Sequence, residues 1–228
     1  MARVTDSASR VSEPSQADAR PGIRFARLYA ILDAERLRGR RLEDVCRALL
    51  DAGVRLFQYR DKRGTSREMF EAVYALAPMI RERDGLFIVN DRADVALVAN
   101  ADGVHLGRDD LPVELARKVL KPGQYLGYST HNPEQLRQAD ASAADYLACG
   151  PIFPTASKEA PDPTVGLDGL VRARQATSKP LVAIGGITVE NARRVIDSGA
   201  DSVAVISALL DAPDPGARAR EFVSVLGD

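Results

Sequence analysis

The sequence predicts an α/β fold, a single (β/α)8 TIM barrel with a disordered N-terminal extension, and three observations predict it. Eight short apolar runs recur along the chain, with longer amphipathic stretches between and after them. The runs are apolar nearly throughout instead of alternating with polar residues, the pattern of parallel strands covered by helices on both faces. The eight units fill about 200 residues, the lower size range of such a barrel, and leave little room for insertions. An open doubly wound sheet is the competing arrangement. It needs a strand-order reversal and usually a glycine-rich turn after the first strand, whereas here the first run passes into Asp33-Ala34-Glu35.

Each element has its own signal. Residues 1–24 are rich in Ser, Asp, Arg, Ala and Pro, lack apolar periodicity and include Pro21-Gly22, so they read as a flexible tail ahead of one catalytic barrel domain at 25–228. The first strand is expected over Leu28–Leu32 and the first helix over Leu42–Ala52. Val54–Tyr59 is followed by Ser66–Arg83, and Leu86–Asn90 by Arg92–Ala99. Gly103–Leu106 precedes Pro112–Leu120, with proline in a position that suits a first helical turn. Tyr125–Tyr128 precedes Pro133–Ala139, opened by Asn132-Pro133. Tyr146–Cys149 is separated by a long Pro-rich stretch from Leu167–Ala176. Leu181–Ile184 precedes Val189–Ser198, which Thr188 and Asn191 open and Gly199 closes. Ser202–Val205 and a last helix over Gly216–Leu226 complete the count.

Composition narrows the function. With 31 Lys and Arg against 32 Asp and Glu in 228 residues, the chain has no charge excess with which to coat nucleic acid or grip an anionic membrane. It has no Trp and only 5% aromatic residues, so stacking platforms for bases are scarce. No run approaches the roughly 20 apolar residues of a membrane helix, and the N-terminal stretch lacks the apolar centre of a signal peptide. The expectation is a cytoplasmic protein that acts on small molecules without nucleic-acid or membrane partners, homo-oligomerisation being left open. Cys46 and Cys149, the two cysteines, sit in apolar stretches without ligand-spaced Cys or His, as buried reduced thiols do.

In such a barrel the chemistry sits where the strands end. The second ends Gln58-Tyr59-Arg60-Asp61-Lys62, and alternation sends Gln58, Arg60 and Lys62 the same way. The third ends Asn90-Asp91-Arg92, and the fourth continues through Gly107-Arg108-Asp109-Asp110. Asp91 and Asp110 could each cap the helix that follows. As neighbours at the rim beside a cationic pair, they also suit Mg²⁺ bridging to a diphosphate. Ser129 and Thr130 lie in a hydroxyl-rich turn suited to phosphate oxygens. His105, inside an apolar strand, reads as a hydrogen-bonded core residue, and His131 as a capping or rim residue. After the sixth strand, Thr155, Ser157 and Lys158 lie in a loop that reads as a lid or anion clamp. Gly185-Gly186 after the seventh strand and the backbone at Ile206-Ser207 after the eighth match a barrel monophosphate site built from exposed amides. Two anion sites are therefore expected, one cationic and metal-assisted, the other an amide cradle.

These strand-end motifs, taken with Ala101-Asp102-Gly103-Val104-His105-Leu106-Gly107, Gly150-Pro151-Ile152-Phe153-Pro154-Thr155 and Ile184-Gly185-Gly186-Ile187, resemble the thiamine-phosphate synthase (thiamin phosphate pyrophosphorylase) family over roughly residues 27 to 226. The resemblance implies joining of 4-amino-2-methyl-5-hydroxymethylpyrimidine diphosphate to a thiazole phosphate or its carboxylated form. Thiamine phosphate and diphosphate are then released by a dissociative substitution. It implies that Gln58, Tyr59, Arg60, Asp61, Lys62, Asn90, Ser129 and Lys158 hold the pyrimidine diphosphate, with Arg60, Lys62, Ser129 and Lys158 catalytic. It further implies Mg²⁺ on Asp91 and Asp110, and the thiazole phosphate on Thr155, Ala156, Ser157, Gly186, Ile206 and Ser207. Ser157 stands where the family commonly has Thr, and the loop at 159–165 is Pro-rich. A related thiazole tautomerase, which isomerises without Mg²⁺, and a non-enzymatic binding barrel are the alternatives.

Overall fold

The structure is a computed structural model that describes residues 25–155 and 163–227. The expected tail at 1–24 and the loop positions Ala156, Ser157 and Lys158 lie outside the described residues. Eight parallel strands, β1 (Leu28–Asp33), β2 (Leu56–Arg60), β3 (Leu86–Asn90), β4 (Gly103–Leu106), β5 (Tyr125–Thr130), β6 (Tyr146–Cys149), β7 (Leu181–Ile184) and β8 (Ser202–Val205), close in sequence order. Closure comes where β1 pairs with β8, Tyr29 opposite Ala204. The doubly wound alternative is thereby excluded.

The outer layer consists of α1 (Leu42–Asp51), α2 (Ser66–Arg81), α3 (Ala93–Val98), α4 (Val113–Val119), α5 (Pro133–Asp140), α6 (Gly166–Gln175), α7 (Val189–Asp197), α8 (Ser207–Leu210) and α9 (Pro215–Leu226). Their starts follow from local chemistry. Thr65 and Glu68 form a reciprocal capping box on α2, Asn132 accepts from the Gln135 N–H at the start of α5, and Asp214 accepts from Ala217 on α9. Ends differ from the sequence expectation where the backbone turns left-handed: α2 stops at Arg81 because Asp84 adopts φ 54°. Strand β2 starts at Leu56, not Val54, because the Val54 N–H returns to the Leu49 carbonyl to finish α1. Two short elements were not expected, α8 and a 3₁₀ turn at Ala34–Arg36.

Period-two alternation divides the apolar residues into two cores. Leu28, Ala30, Leu32, Phe57, Tyr59 and Val89 face the helices and pack in one cluster with Leu49, Val73, Leu76 and Phe222. Tyr29, Ile31, Leu56, Ile88, Tyr146, Ala148, Val182 and Ala204 form the second cluster inside the barrel. Each large side chain removed from water in these layers contributes about 1.5–3 kcal/mol.

One device recurs at the bottom of the barrel. In Ala101-Asp102, Ala144-Asp145 and Ala200-Asp201 the aspartate precedes an even-numbered strand. Its carboxylate accepts an N–H from the first or second residue of the strand before: Phe87 to Asp102 at 2.8 Å, Leu126 to Asp145 at 2.7 Å and Leu181 to Asp201 at 2.8 Å. Each aspartate's own N–H returns to the carbonyl of that same residue. These pairs tie strand starts together at the end opposite the chemistry.

Candidate active site

The strands end around one cavity lined by Gln58, Arg60, Asn90, Ser129, Thr155, Gly186, Ile206 and Ser207 among others. Eight residues singled out from the sequence therefore converge. Gln58 and Asn90 are buried, at 3% and 7% exposure, so they need partners inside the barrel or in a bound molecule.

Arg60 is positioned by a residue the sequence reading passed over. Asp33, at the end of β1 and 4% exposed, ion-pairs with Arg60. The ladder places Asp33 directly opposite Arg60. Its other carboxylate oxygen accepts the Glu35 N–H at 3.1 Å, which anchors it. The signal was present as a charged residue ending an apolar strand, a position with chemical meaning in a barrel.

Lys62, Asp91 and Asp110 form a cluster at the rim beside the cavity. Lys62 pairs with Asp91, and Asp110 lies close enough to Asp91 to raise its pKa. Neither aspartate caps a helix: α3 and α4 start without a side-chain cap, and Asp110 instead accepts the Gly107 N–H at 2.7 Å. Asp91 sits at φ 64°, where a non-glycine residue costs about 1–3 kcal/mol, with its N–H bonded to the His105 carbonyl. Burial first and the neighbouring Asp110 second push the Asp91 carboxyl up, Lys62 opposes both, and the net is about 6. Two carboxyl groups in contact must share a proton or a cation. Their hard oxygens suit Mg²⁺, which is commonly held by one or two carboxylates together with water and substrate phosphates. No group of three or more His, Cys, Asp or Glu that could hold a metal ion gathers among the described residues.

Tyr59 and Asp61 are not among the residues that line the cavity. The alternation that aims Gln58 and Arg60 inward sends Tyr59 into the helix-facing core. Asp61 accepts the Arg63 and Gly64 N–H groups at 3.0 and 2.7 Å and shapes the loop after β2.

The opposite wall is backbone. Gly185 and Gly186 have φ 99° and 65°, and a Cβ on Gly186 would press on Phe153 and the Pro154 carbonyl. Only glycine permits both the turn and the close approach. Beside it, Ser207 begins α8.

His105 is hydrogen-bonded as expected, to Tyr146 at 3.0 Å and Ser129 at 2.8 Å, yet it also lines the cavity. His131 lines it too, with Nδ1 at 2.7 Å from the Gly150 carbonyl. Both cysteines are buried and free, and burial raises Cys46 to about 12 and Cys149 to about 11, which disfavours the thiolate form. No described helix is long and apolar enough to cross a membrane.

Comparison with known proteins fits this geometry. The family described as thiamine monophosphate synthase (TMP-TENI) matches residues 28–209. A thiamine-phosphate synthase of Koribacter versatilis (strain Ellin345) is 51% identical over 213 residues, covering 90% of this chain and 98% of that protein. One from Archaeoglobus fulgidus is 43% identical over 202 residues, 89% of this chain and 94% of its own. The solved thiamine phosphate pyrophosphorylase from Pyrococcus furiosus superposes with a TM-score of 0.80 at 36% identity, covering 88% of this chain and 96% of that one.

Proposed function

The chain belongs to the thiamine-phosphate synthase family and is a transferase; from that premise we propose that it joins 4-amino-2-methyl-5-hydroxymethylpyrimidine diphosphate to a thiazole phosphate. The products are thiamine phosphate and diphosphate, and we place the reaction in the cytoplasm. The observation that carries this reading is one cavity with unlike sides: Arg60, Gln58 and Asn90 line one, with the Lys62–Asp91–Asp110 cluster next to Asn90 at the end of β3, and the Gly185–Gly186 and Ser207 backbone lines the other.

The residues divide the work. Gln58 and Asn90, the most buried polar groups of the wall, suit the hydrogen-bonding edge of the pyrimidine ring. Arg60, Lys62, Ser129 and Lys158 hold the diphosphate, and Arg60 is kept in place by Asp33. Thr155, Ala156, Ser157, Gly186, Ile206 and Ser207 hold the thiazole phosphate. Tyr59 and Asp61 are left out of this scheme, since Tyr59 packs in the helix-facing core and Asp61 accepts the N–H groups of its own loop. Asp91 and Asp110 hold Mg²⁺, which supplies positive charge to the diphosphate oxygens when bound.

The chemistry asks little else of the protein. Breaking the carbon–oxygen bond leaves a pyrimidine-methyl cation stabilised by its amino-substituted ring. The departing diphosphate gathers negative charge, which Arg60, Lys62, Lys158 and the Ser129 hydroxyl meet with preorganised donors. The thiazole nitrogen then attacks the cation, and the glycine wall holds that ring within reach. No strong base or covalent nucleophile is needed, which agrees with thiols held well above their reactive range.

Incubation with both substrates and Mg²⁺ tests the reading. Thiamine phosphate and diphosphate should form together and cease with EDTA. Metal-independent isomerisation of a thiazole substrate, or binding without turnover, would contradict it.

A further inference from the structure

Beneath the cavity runs a chain of hydrogen bonds that the reaction scheme does not use. Gln58 Nε2 donates to the Tyr29 hydroxyl at 2.9 Å, Tyr29 meets the Tyr146 hydroxyl at 3.2 Å, Tyr146 meets His105 Nδ1 at 3.0 Å, and His105 Nε2 meets Ser129 Oγ at 2.8 Å. Both ends, Gln58 and Ser129, face the cavity, while Tyr29 and Tyr146 are 1% and 0% exposed. The chain is packed tightly: a Cβ on Gly127 would overlap the Tyr146 ring and hydroxyl and His105 Nδ1. Glycine at that position leaves the space the chain occupies.

The direction of the chain follows from counting hydrogens. Burial holds both phenols well above their ordinary range, so each keeps its single hydrogen. Tyr29, already accepting from Gln58, gives its hydrogen to Tyr146, and Tyr146 gives its own to Nδ1 of His105. A neutral imidazole that accepts at Nδ1 carries its hydrogen on Nε2 and donates it to Ser129. The Ser129 hydroxyl hydrogen is then left for a molecule in the cavity. We infer that Tyr29, Tyr146 and His105 form a relay of fixed polarity that makes Ser129 a donor to a diphosphate oxygen, with Tyr146 and His105 as positioning residues for the reaction. This rests on the assignment of Ser129 to the diphosphate. A relay of opposite polarity would turn the Ser129 hydrogen onto His105 and offer the anion only lone pairs.

The full chain labelled with ¹⁵N-histidine tests this, because it has only two histidines and His131→Gln assigns their signals. His105 should appear as the Nε2–H tautomer. His131 should appear with its hydrogen on Nδ1, since the Gly150 carbonyl can only accept. In Tyr146→Phe, which keeps the ring and its edge contact with Phe25, kcat should fall about tenfold with KM for the thiazole phosphate unchanged. The His105 Nδ1 resonance should also move toward that of an unbonded nitrogen. An Nδ1–H or doubly protonated His105 in the wild-type protein overturns the relay, as does a Tyr146→Phe variant with undiminished kcat. If that variant does not fold, the wild-type tautomer decides alone. Failure of the wild-type protein to make thiamine phosphate removes the role assigned to Ser129, whereas normal synthesis beside an Nδ1–H His105 overturns the relay only.

Discussion

Asp91 concentrates three costs in one residue: a left-handed backbone, burial of a carboxyl and contact with a second carboxyl. Such costs persist where they serve a site. Asp110→Ala should lower turnover by about 100-fold or more while leaving thermal unfolding near that of the wild type. Near-normal Mg²⁺-dependent turnover would remove Asp110 from the site. The proton balance gives a second expectation. Asp91 titrates above its ordinary range, near 6, so it holds a proton below that pH and is ionised above it. A cation must displace that proton in acid, so the Mg²⁺ concentration for half-maximal rate should rise by about tenfold for each pH unit below 6 and level off above 7. A requirement for Mg²⁺ that stays flat between pH 5 and 8 would contradict this. At this scale the strand-end residues Gln58, Arg60, Asn90 and Ser129 were legible because barrel geometry assigns chemistry to those positions. The two buried tyrosines were not, because their partners lie on strands distant in the sequence and no local spacing announces them; Asp33 showed only as a charged residue ending an apolar strand, with nothing to name Arg60 as its partner.

At the scale of elements, the three Ala-Asp pairs are the least anticipated feature. The sequence shows each aspartate as a polar residue before a strand, indistinguishable from a loop residue until the neighbouring strand's N–H is known. Asp201→Ala leaves the Leu181 N–H unpaired and removes a partner of Arg174, and should destabilise the protein by about 1–3 kcal/mol in urea unfolding. A change below 0.5 kcal/mol, taken as an order-of-magnitude threshold, would show that water replaces the carboxylate at no cost. Eight helix positions followed from apolar periodicity, some with capping or proline signals, as at Asn132-Pro133 and Thr188 with Asn191. Helix α8 escaped because four residues are too short to display a period. The two-residue error at the start of β2 arose because Val54 is as apolar as a strand residue while its N–H belongs to the preceding helix.

For the whole molecule, eight consecutive parallel pairings leave no sheet edge, and Arg27 bonds the Leu226 carbonyl so that the two ends of the barrel chain meet. The fold was legible because near-continuous apolar strands allow few arrangements other than a covered parallel sheet, and the compact spacing selected the closed one. Since the barrel closes from Leu28 onward, deletion of residues 1–22 should leave kcat and KM within about twofold of the full chain. Loss of activity or of folding on truncation would give that segment a role in the barrel. The central claim is that neighbouring strand ends β3 and β4 supply a carboxylate pair for the ion that neutralises the leaving diphosphate. A crystal structure with thiamine phosphate, diphosphate and Mg²⁺ tests it most directly. The account predicts oxygens of Asp91 and Asp110 at about 2.1 Å from an ion that also binds the diphosphate; an ion held elsewhere, with both carboxylates outside its coordination sphere, would contradict it.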